Sequence, residues 1–179
     1  MHDVSQWMAA NKDLITSWTA ILAILTSVTI AAINMTMQRR HNRKSVLPIG
    51  HVSVGDYNNQ IFVRLWNYGV GPMIIKRVVV AREGEQPKPS IIGFMPKLPD
   101  DFPWSTFVGD ISNRVIPGND NIPLILLEGD EKNRDFVAVR QMVREILSGL
   151  TIKVEYKNVY GENMPPAVRN LDWFGRLLA

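Results

Sequence analysis

A mainly β protein with one N-terminal transmembrane helix is what the residue pattern of this 179-residue chain predicts: a cytoplasmic antiparallel β-sandwich carrying one amphipathic helix. Three observations lead there. No charged residue occurs between Asp13 and Arg39. After residue 45, runs rich in β-branched and aromatic residues follow one another, separated by short turns. Near residues 130–148 the apolar spacing switches from that of strands to that of a helix.

The uncharged run contains Leu14–Ile33, LITSWTAILAILTSVTIAAI. At 1.5 Å per residue, twenty residues just cross a hydrocarbon core of roughly 30 Å. The chain then divides into an extracytoplasmic segment 1–13, a transmembrane helix 14–38, a basic linker 39–45 and a cytoplasmic domain 46–179. A cleaved signal peptide would carry a basic N-terminal region and a shorter apolar core. Here the leading residues hold one lysine against two aspartates, and RRHNRK (Arg39–Lys44) follows the apolar run, so a retained anchor is expected. Four Lys/Arg on the C-terminal side against one on the N-terminal side place residues 39–179 in the cytoplasm. Trp7 and Trp18 suit the outer interface. Val4, Trp7, Met8 and Leu14–Ile15 have helical spacing, so the leading segment either extends the helix or lies flat on the outer surface.

Charge and composition exclude several classes. Residues 1–44 hold five of the twenty Lys/Arg and two of the seventeen acids, leaving 15 of each in residues 45–179. The soluble domain is therefore neutral, and the excess positive charge lies at the membrane edge, unlike a generally basic nucleic-acid binder. The absence of cysteine removes disulfides and thiolate metal sites. His2, His41 and His51 are too scattered for a zinc site, so no metal or cofactor is expected.

Thr16, Ala20, Ala23, Ser27, Ala31 and Asn34 recur at spacings of 4, 3, 4, 4 and 3, forming one stripe of small or polar side chains. Such stripes let membrane helices approach closely, with hydroxyls bonding across the contact. A single-pass helix finds that partner in another subunit, so a homo-oligomer, a tetramer being favoured, is expected. The bland alternative is a chance stripe on a lone anchor. A ring of such helices would set Thr16, Thr19, Thr26 or Asn34 on a pore. Arg39, Arg40, Arg43 and Lys44 either meet anionic lipid headgroups or form an anion-binding collar at the pore mouth.

Strand periodicity covers residues 46–56, 60–69 and 72–83, with turns at Asn58-Asn59 and Gly69–Gly71. Residues 84–103, rich in Pro and Gly, read as a long loop. Strands resume near 109–116 and 121–127. An amphipathic helix is expected over 130–148 with Gly149 as its stop, then an alternating strand over 150–160. The tail 168–179 has no decided state.

The sharpest local motif is Asn67-Tyr68-Gly69-Val70-Gly71-Pro72, a strand exit in which Asn67 bonds its own turn, Gly69 and Gly71 admit positive φ, and Pro72 restarts a strand. No helix opens after it and no lysine follows, which excludes dinucleotide and phosphate loops. Over residues 14 to about 82, the order of membrane helix, basic linker and hydrophobic-x-Asn-x-Gly-x-Gly-Pro resembles a group of small bacterial membrane-anchored β-sandwich proteins, although Met73 stands where they usually have Ala. Several proteins of this look are membrane effectors of antiphage defence, the channel effectors of Hailong-type systems among them. The resemblance implies a bacterial inner-membrane location and a pore gated by an oligonucleotide that a partner nucleotidyltransferase makes.

Arg64, Lys76 and Arg77, with the Arg39–Lys44 cluster, are the cations expected to face an anionic ligand, Arg64 and Lys76 flanking the Gly turn on facing strands. Strands also carry such residues as a solvated face. No catalytic constellation is expected. Asp100-Asp101 and Glu128-Gly129-Asp130-Glu131 lack a completing cluster, and His41-Asn42 lacks an orienting acid. The expected function is a ligand-gated membrane effector. The alternative is a tethered β-sandwich that recruits a protein partner.

Overall fold

The computed structural model describes residues 6–7, 10–98 and 103–177. Val4, Met8 and Asp100-Asp101 lie outside the described residues. The chain forms two compact units, 1–45 and 46–179.

The first unit is built on one helix, α1 (Lys12–Ser45), long and apolar enough to cross a membrane. None of its residues is buried. The expected basic linker is not a separate segment: the helix runs through Arg39–Lys44 without a break. From Ile33 to Ser45 there is no Gly or Pro, and Met, Gln, Arg and Lys are good helix formers. Arg43 and Lys44 lie in the last turn, where cations complement the negative end of the helix dipole.

The second unit holds two four-stranded antiparallel sheets, β1 (Gly50–Tyr57), β2 (Gln60–Asn67), β6 (Asp120–Glu128) and β4 (Thr106–Phe107) in one, and β5 (Val115–Ile116), β3 (Met73–Arg82), β7 (Leu150–Lys157) and β8 (Ala167–Asn170) in the other, each in that spatial order. Asn58-Asn59 closes the β1–β2 hairpin, with Tyr57 opposite Gln60. Ile61, Val63 and Leu65 of β2 share one core with Ile75, Val78 and Val80 of β3 and with Ile152 and Val154 of β7. Successive strand side chains point to opposite sides, and in β3 an irregularity between Ile75 and Arg77 shifts the phase so that Ile75 faces the core with Val78 and Val80.

Helix α2 (Arg134–Ser148) starts four residues later than expected. The Asn133 carboxamide oxygen accepts from the Asp135 and Phe136 amides, at 2.9 and 3.4 Å, so Asn133 is the N-cap and Asp130–Lys132 is a turn. Gly149 caps the C-terminus, and Phe136, Val139, Val143 and Leu147 are buried. Two loop expectations also change. The strand expected near 109–116 shrinks to Val115–Ile116, since Asp110 folds its carboxylate back on the Ser112 amide and hydroxyl (2.8 and 2.6 Å) and Asn113 takes φ 64°. Residues 84–98 form a packed excursion with a turn of 3₁₀ helix (Ile92–Phe94) that buries Ile91, Phe94 and Leu98. In the tail, β8 pairs with β7, and Asp172–Leu177 forms a 3₁₀ turn against α2.

Candidate functional site

The motif at residues 67–72 is held by a dense set of hydrogen bonds centred on Asn67. Asn67 ends β2 on its inner face and is fully buried. Its side-chain oxygen accepts from the Ile49 and Gly69 amides at 3.1 and 3.0 Å. Its side-chain nitrogen donates to the carbonyls of Gly71 (2.8 Å), Ile116 (3.2 Å) and Pro117 (3.0 Å). One carboxamide thus ties together the entry to β1, the turn and β5. Neither Gly69 nor Gly71 has positive φ; among the described glycines only Gly84 and Gly161 do. The expected reason for these glycines is therefore replaced by another, close approach. A Cβ on Gly69 would stand 2.2 Å from the Leu47 carbonyl oxygen, and one on Gly71 1.8 Å from that of Val46. Residues 46–49 lie directly on the turn, and only glycine leaves room. Pro72 leads straight into β3.

This turn carries the chain from one sheet to the other, which corrects the placement of the expected cations. Arg64 belongs to β2, whose neighbours are β1 and β6; Lys76 and Arg77 belong to β3, whose neighbours are β5 and β7. They do not lie on facing strands. The Arg64 guanidinium sits 4.2 Å over the Phe62 ring. Phe62 itself covers Gly55, where a Cβ would fall 2.3 Å from the ring. Lys76 donates to the Asn163 side-chain oxygen at 3.2 Å. Arg77 grips Glu155 with two bonds of 2.7 and 3.1 Å, and Lys153 adds a third cation contact at 2.9 Å. The hydrogen bonds from Arg77 and then Lys153 hold the Glu155 carboxyl at a pKa of about 2, well below the usual range. These three cations therefore do not converge on a common anion.

On α1, the stripe residues Thr16, Ala20, Ala23, Ser27, Ala31 and Asn34 share one face at about 100° per residue, with Thr19 and Thr26 to one side of it. The hydroxyls of Thr16, Thr26 and Ser27 donate to carbonyls four residues back at 2.8 Å, and that of Thr19 to Thr16 at 2.8 Å. They need no outside partner. Asn34 differs: its carboxamide makes no hydrogen bond among the described residues. Arg39, Arg40, Arg43 and Lys44 occupy the last two turns.

Two clusters escaped the sequence reading. Asp56, on β1, has a side chain only 1% exposed and is held by Arg140 (2.6 Å) and Arg144 (2.8 Å) of α2. Arg144 also bonds the Gln141 side chain, and Arg140 reaches the Asn58 carbonyl. The signal was present: Asp56 follows Val52 and Val54 in inward phase, and Arg140 and Arg144 are one turn apart. The second cluster is aromatic. Trp66 and Tyr68 stack with centroids 5.3 Å apart and planes at 7°, and His51 lies 5.8 Å from Tyr68. His51 faces Trp66 across the β1–β2 hairpin.

Open recesses also lie on the described surface of the second unit. One of about 450 Å³ is apolar, lined by Ile92, Met95, Leu98, Trp104 and Phe107 with Lys97 at its side. One of about 420 Å³ is polar, lined by Arg82, Glu83, Ser148, Thr151, Asn170 and Asp172. Among the described residues no group of three or more His, Asp or Glu is placed to hold a metal. No protein-family model matches this chain, and no curated protein matches it at a significant level.

Proposed function

We propose that the protein is a homo-oligomeric, single-pass membrane effector of the bacterial inner membrane, with its N-terminus outside and its β domain in the cytoplasm. The observation that carries this reading is α1: an apolar helix none of whose described residues is buried, bearing an unpaired Asn34 carboxamide on the small-residue stripe. In lipid the apolar face is satisfied by acyl chains, while Asn34, next after the twenty-residue span, stands at the edge of the core, where a neighbouring helix offers its carboxamide a partner in competition with water. A second α1 packed along the stripe supplies both the close contact and a polar partner. Closed symmetry then gives a ring, a tetramer in the simplest case, with Thr16, Thr19, Thr26 and Asn34 placed to line a conducting path.

The gating ligand we propose is anionic, an oligonucleotide or nucleotide made by a partner enzyme, as the resemblance of residues 14–82 to channel effectors of antiphage defence implies. Arg39, Arg40, Arg43 and Lys44, multiplied by the number of subunits, would form the cationic collar that meets it. The test is conductance of the full chain in planar bilayers, with Thr26→Leu, Ser27→Leu and Asn34→Leu. Loss or alteration of conductance in these variants is expected; unchanged conductance rules out a pore built on the stripe.

One observation favours a second reading. Arg64, Lys76 and Arg77 are spread over two sheets and largely engaged. A membrane-tethered module that recruits a protein partner needs no converging cations. It is favoured if the helix variants leave cellular function unchanged while substitutions on the β domain's surface abolish it.

A further inference from the structure

Alternation sorts the side chains of the β5–β3–β7–β8 sheet into two faces. In β7 Leu150, Ile152, Val154 and Tyr156 are buried, which turns Thr151, Lys153, Glu155 and Lys157 outward. In β3 the irregularity between Ile75 and Arg77 brings Lys76 and Arg77 out on the same face, and both are exposed. The outward positions of these four strands therefore hold four cations against one acid. Residues 45–179 carry equal numbers of Lys/Arg and Asp/Glu, so the surplus belongs to this face and not to the domain. Glu155 is shared by Arg77 and Lys153. Lys76 bonds the neutral side chain of Asn163, and Lys157 has no acidic partner among the described residues.

Spacing and chemistry together name the occupant. Lys157 lies opposite Ile74, Glu155 opposite Arg77 and Lys153 opposite Val79, so the cations stand on successive outward rungs about 7 Å apart. An extended peptide with carboxylates at alternate positions repeats at the same distance. The face already holds one carboxylate: Arg77 donates two hydrogen bonds to Glu155, of 2.7 and 3.1 Å, in the fork geometry that suits a carboxyl group. Between the cations lie Ile74, Val79 and Val168, the last 60% exposed and opposite Lys153, which add apolar contact among the charges. No aromatic side chain occupies an outward position of these strands, whereas sites for single-stranded nucleic acid combine cations with rings on which bases stack. We infer that this outer sheet face docks an extended acidic protein segment whose carboxylates alternate with apolar residues. The site is built within residues 46–179 and does not depend on α1 spanning a membrane. For a tethered module, it gives the chemistry of the recruited partner.

The probe is a short fluorescein-labelled peptide alternating Glu and Val, titrated by fluorescence anisotropy into the full chain in a neutral detergent. Saturable binding is expected, weakened about tenfold or more by Lys153→Glu combined with Lys157→Glu. Glu155→Gln, which frees Arg77 and Lys153, should tighten it several-fold, while Arg39→Gln combined with Arg40→Gln on α1 should leave it unchanged. A peptide of the same composition with its Glu residues in one block should bind more weakly. No binding, or binding indifferent to the Lys153 and Lys157 reversals and to Glu155→Gln, overturns the site. Equal affinity for the block peptide overturns the alternating occupant. A single-stranded DNA that binds more tightly than the peptide and weakens with the same substitutions overturns it in favour of nucleic acid, and displacement by short-chain phosphatidylglycerol does so in favour of lipid. A changed mass of the full chain on Lys153→Glu with Lys157→Glu also overturns it, showing a second copy on this face.

Discussion

Asn67 shows how much one side chain can decide. Its carboxamide satisfies five backbone groups from three parts of the chain, all within 3.2 Å. Each buried group left without a partner costs about 1–3 kcal/mol. Asn67→Ala is therefore expected to lower unfolding stability by about 3 kcal/mol, read as a fall in the denaturation midpoint with an unchanged slope. Gly71→Ala is expected to be at least as damaging, since its methyl would meet the Val46 carbonyl oxygen rather than a movable side chain. The exposed Arg77–Glu155–Lys153 group gives a pH signature instead. Glu155 titrates near 2, below its ordinary value, so its contribution is present above that ordinary value and is lost as pH falls toward 2. Replacing Arg77 by Gln should raise the Glu155 pKa toward the usual carboxylate range, which a carbon-13 NMR titration of its side-chain carboxyl measures directly. An unmoved Glu155 titration would show that Arg77 is not the cause.

Among the elements, α2 is held by more than its apolar face. Asp56 is buried and faces Arg140 and Arg144 from β1. Removing the acid alone leaves two nearly buried guanidinium groups unpaired, a change of about 3–5 kcal/mol when a buried pair is broken. Asp56→Asn should accordingly destabilise the domain by that amount and raise amide exchange along α2. The triple variant Asp56→Asn, Arg140→Leu, Arg144→Leu should recover much of the loss, because replacing a whole buried ionic cluster by apolar groups is often close to neutral. A triple variant no more stable than the single one would count against the clamp.

The same elements show what the residues disclosed in advance. Period-two alternation in 150–157 made β7 legible, the apolar run near 121–127 located β6 although it does not alternate, and the Asn58-Asn59 turn marked the first hairpin, which sets His51 opposite Trp66. The apolar run announced α1 outright. What alternation cannot reveal is which sheet a strand joins. β2 and β3 are consecutive and were expected to face one another across the Gly turn, yet the Asn67–Gly71 turn sends them to different sheets, which separates Arg64 from Lys76. The buried Asp56 was missed for a related reason: a charge in core phase looks like an error until its two arginines, more than 80 residues later, are brought beside it.

For the molecule as a whole, the two units pose opposite physical problems. Residues 46–179 bury their own core. Helix α1 has no buried residue, carries Arg39, Arg40, Arg43 and Lys44 at one end, and holds one unpaired carboxamide on a stripe of small residues. On the proposed reading, lipid and a second copy of the helix would together solve that problem. Assembly should therefore depend on α1, and the stripe should govern it. Asn34→Leu combined with Ser27→Leu is expected to weaken the oligomer in detergent while leaving the fold of the β domain unchanged, as seen in its near-ultraviolet circular dichroism.

The decisive measurement is the mass of the detergent-purified full chain beside that of the fragment 46–179. The full chain should run as a discrete homo-oligomer, a tetramer by preference, and the fragment as a monomer. A monomeric full chain would contradict an α1-built assembly and leave a tethered β domain; an oligomeric fragment would move the assembly from the helix to the sheets.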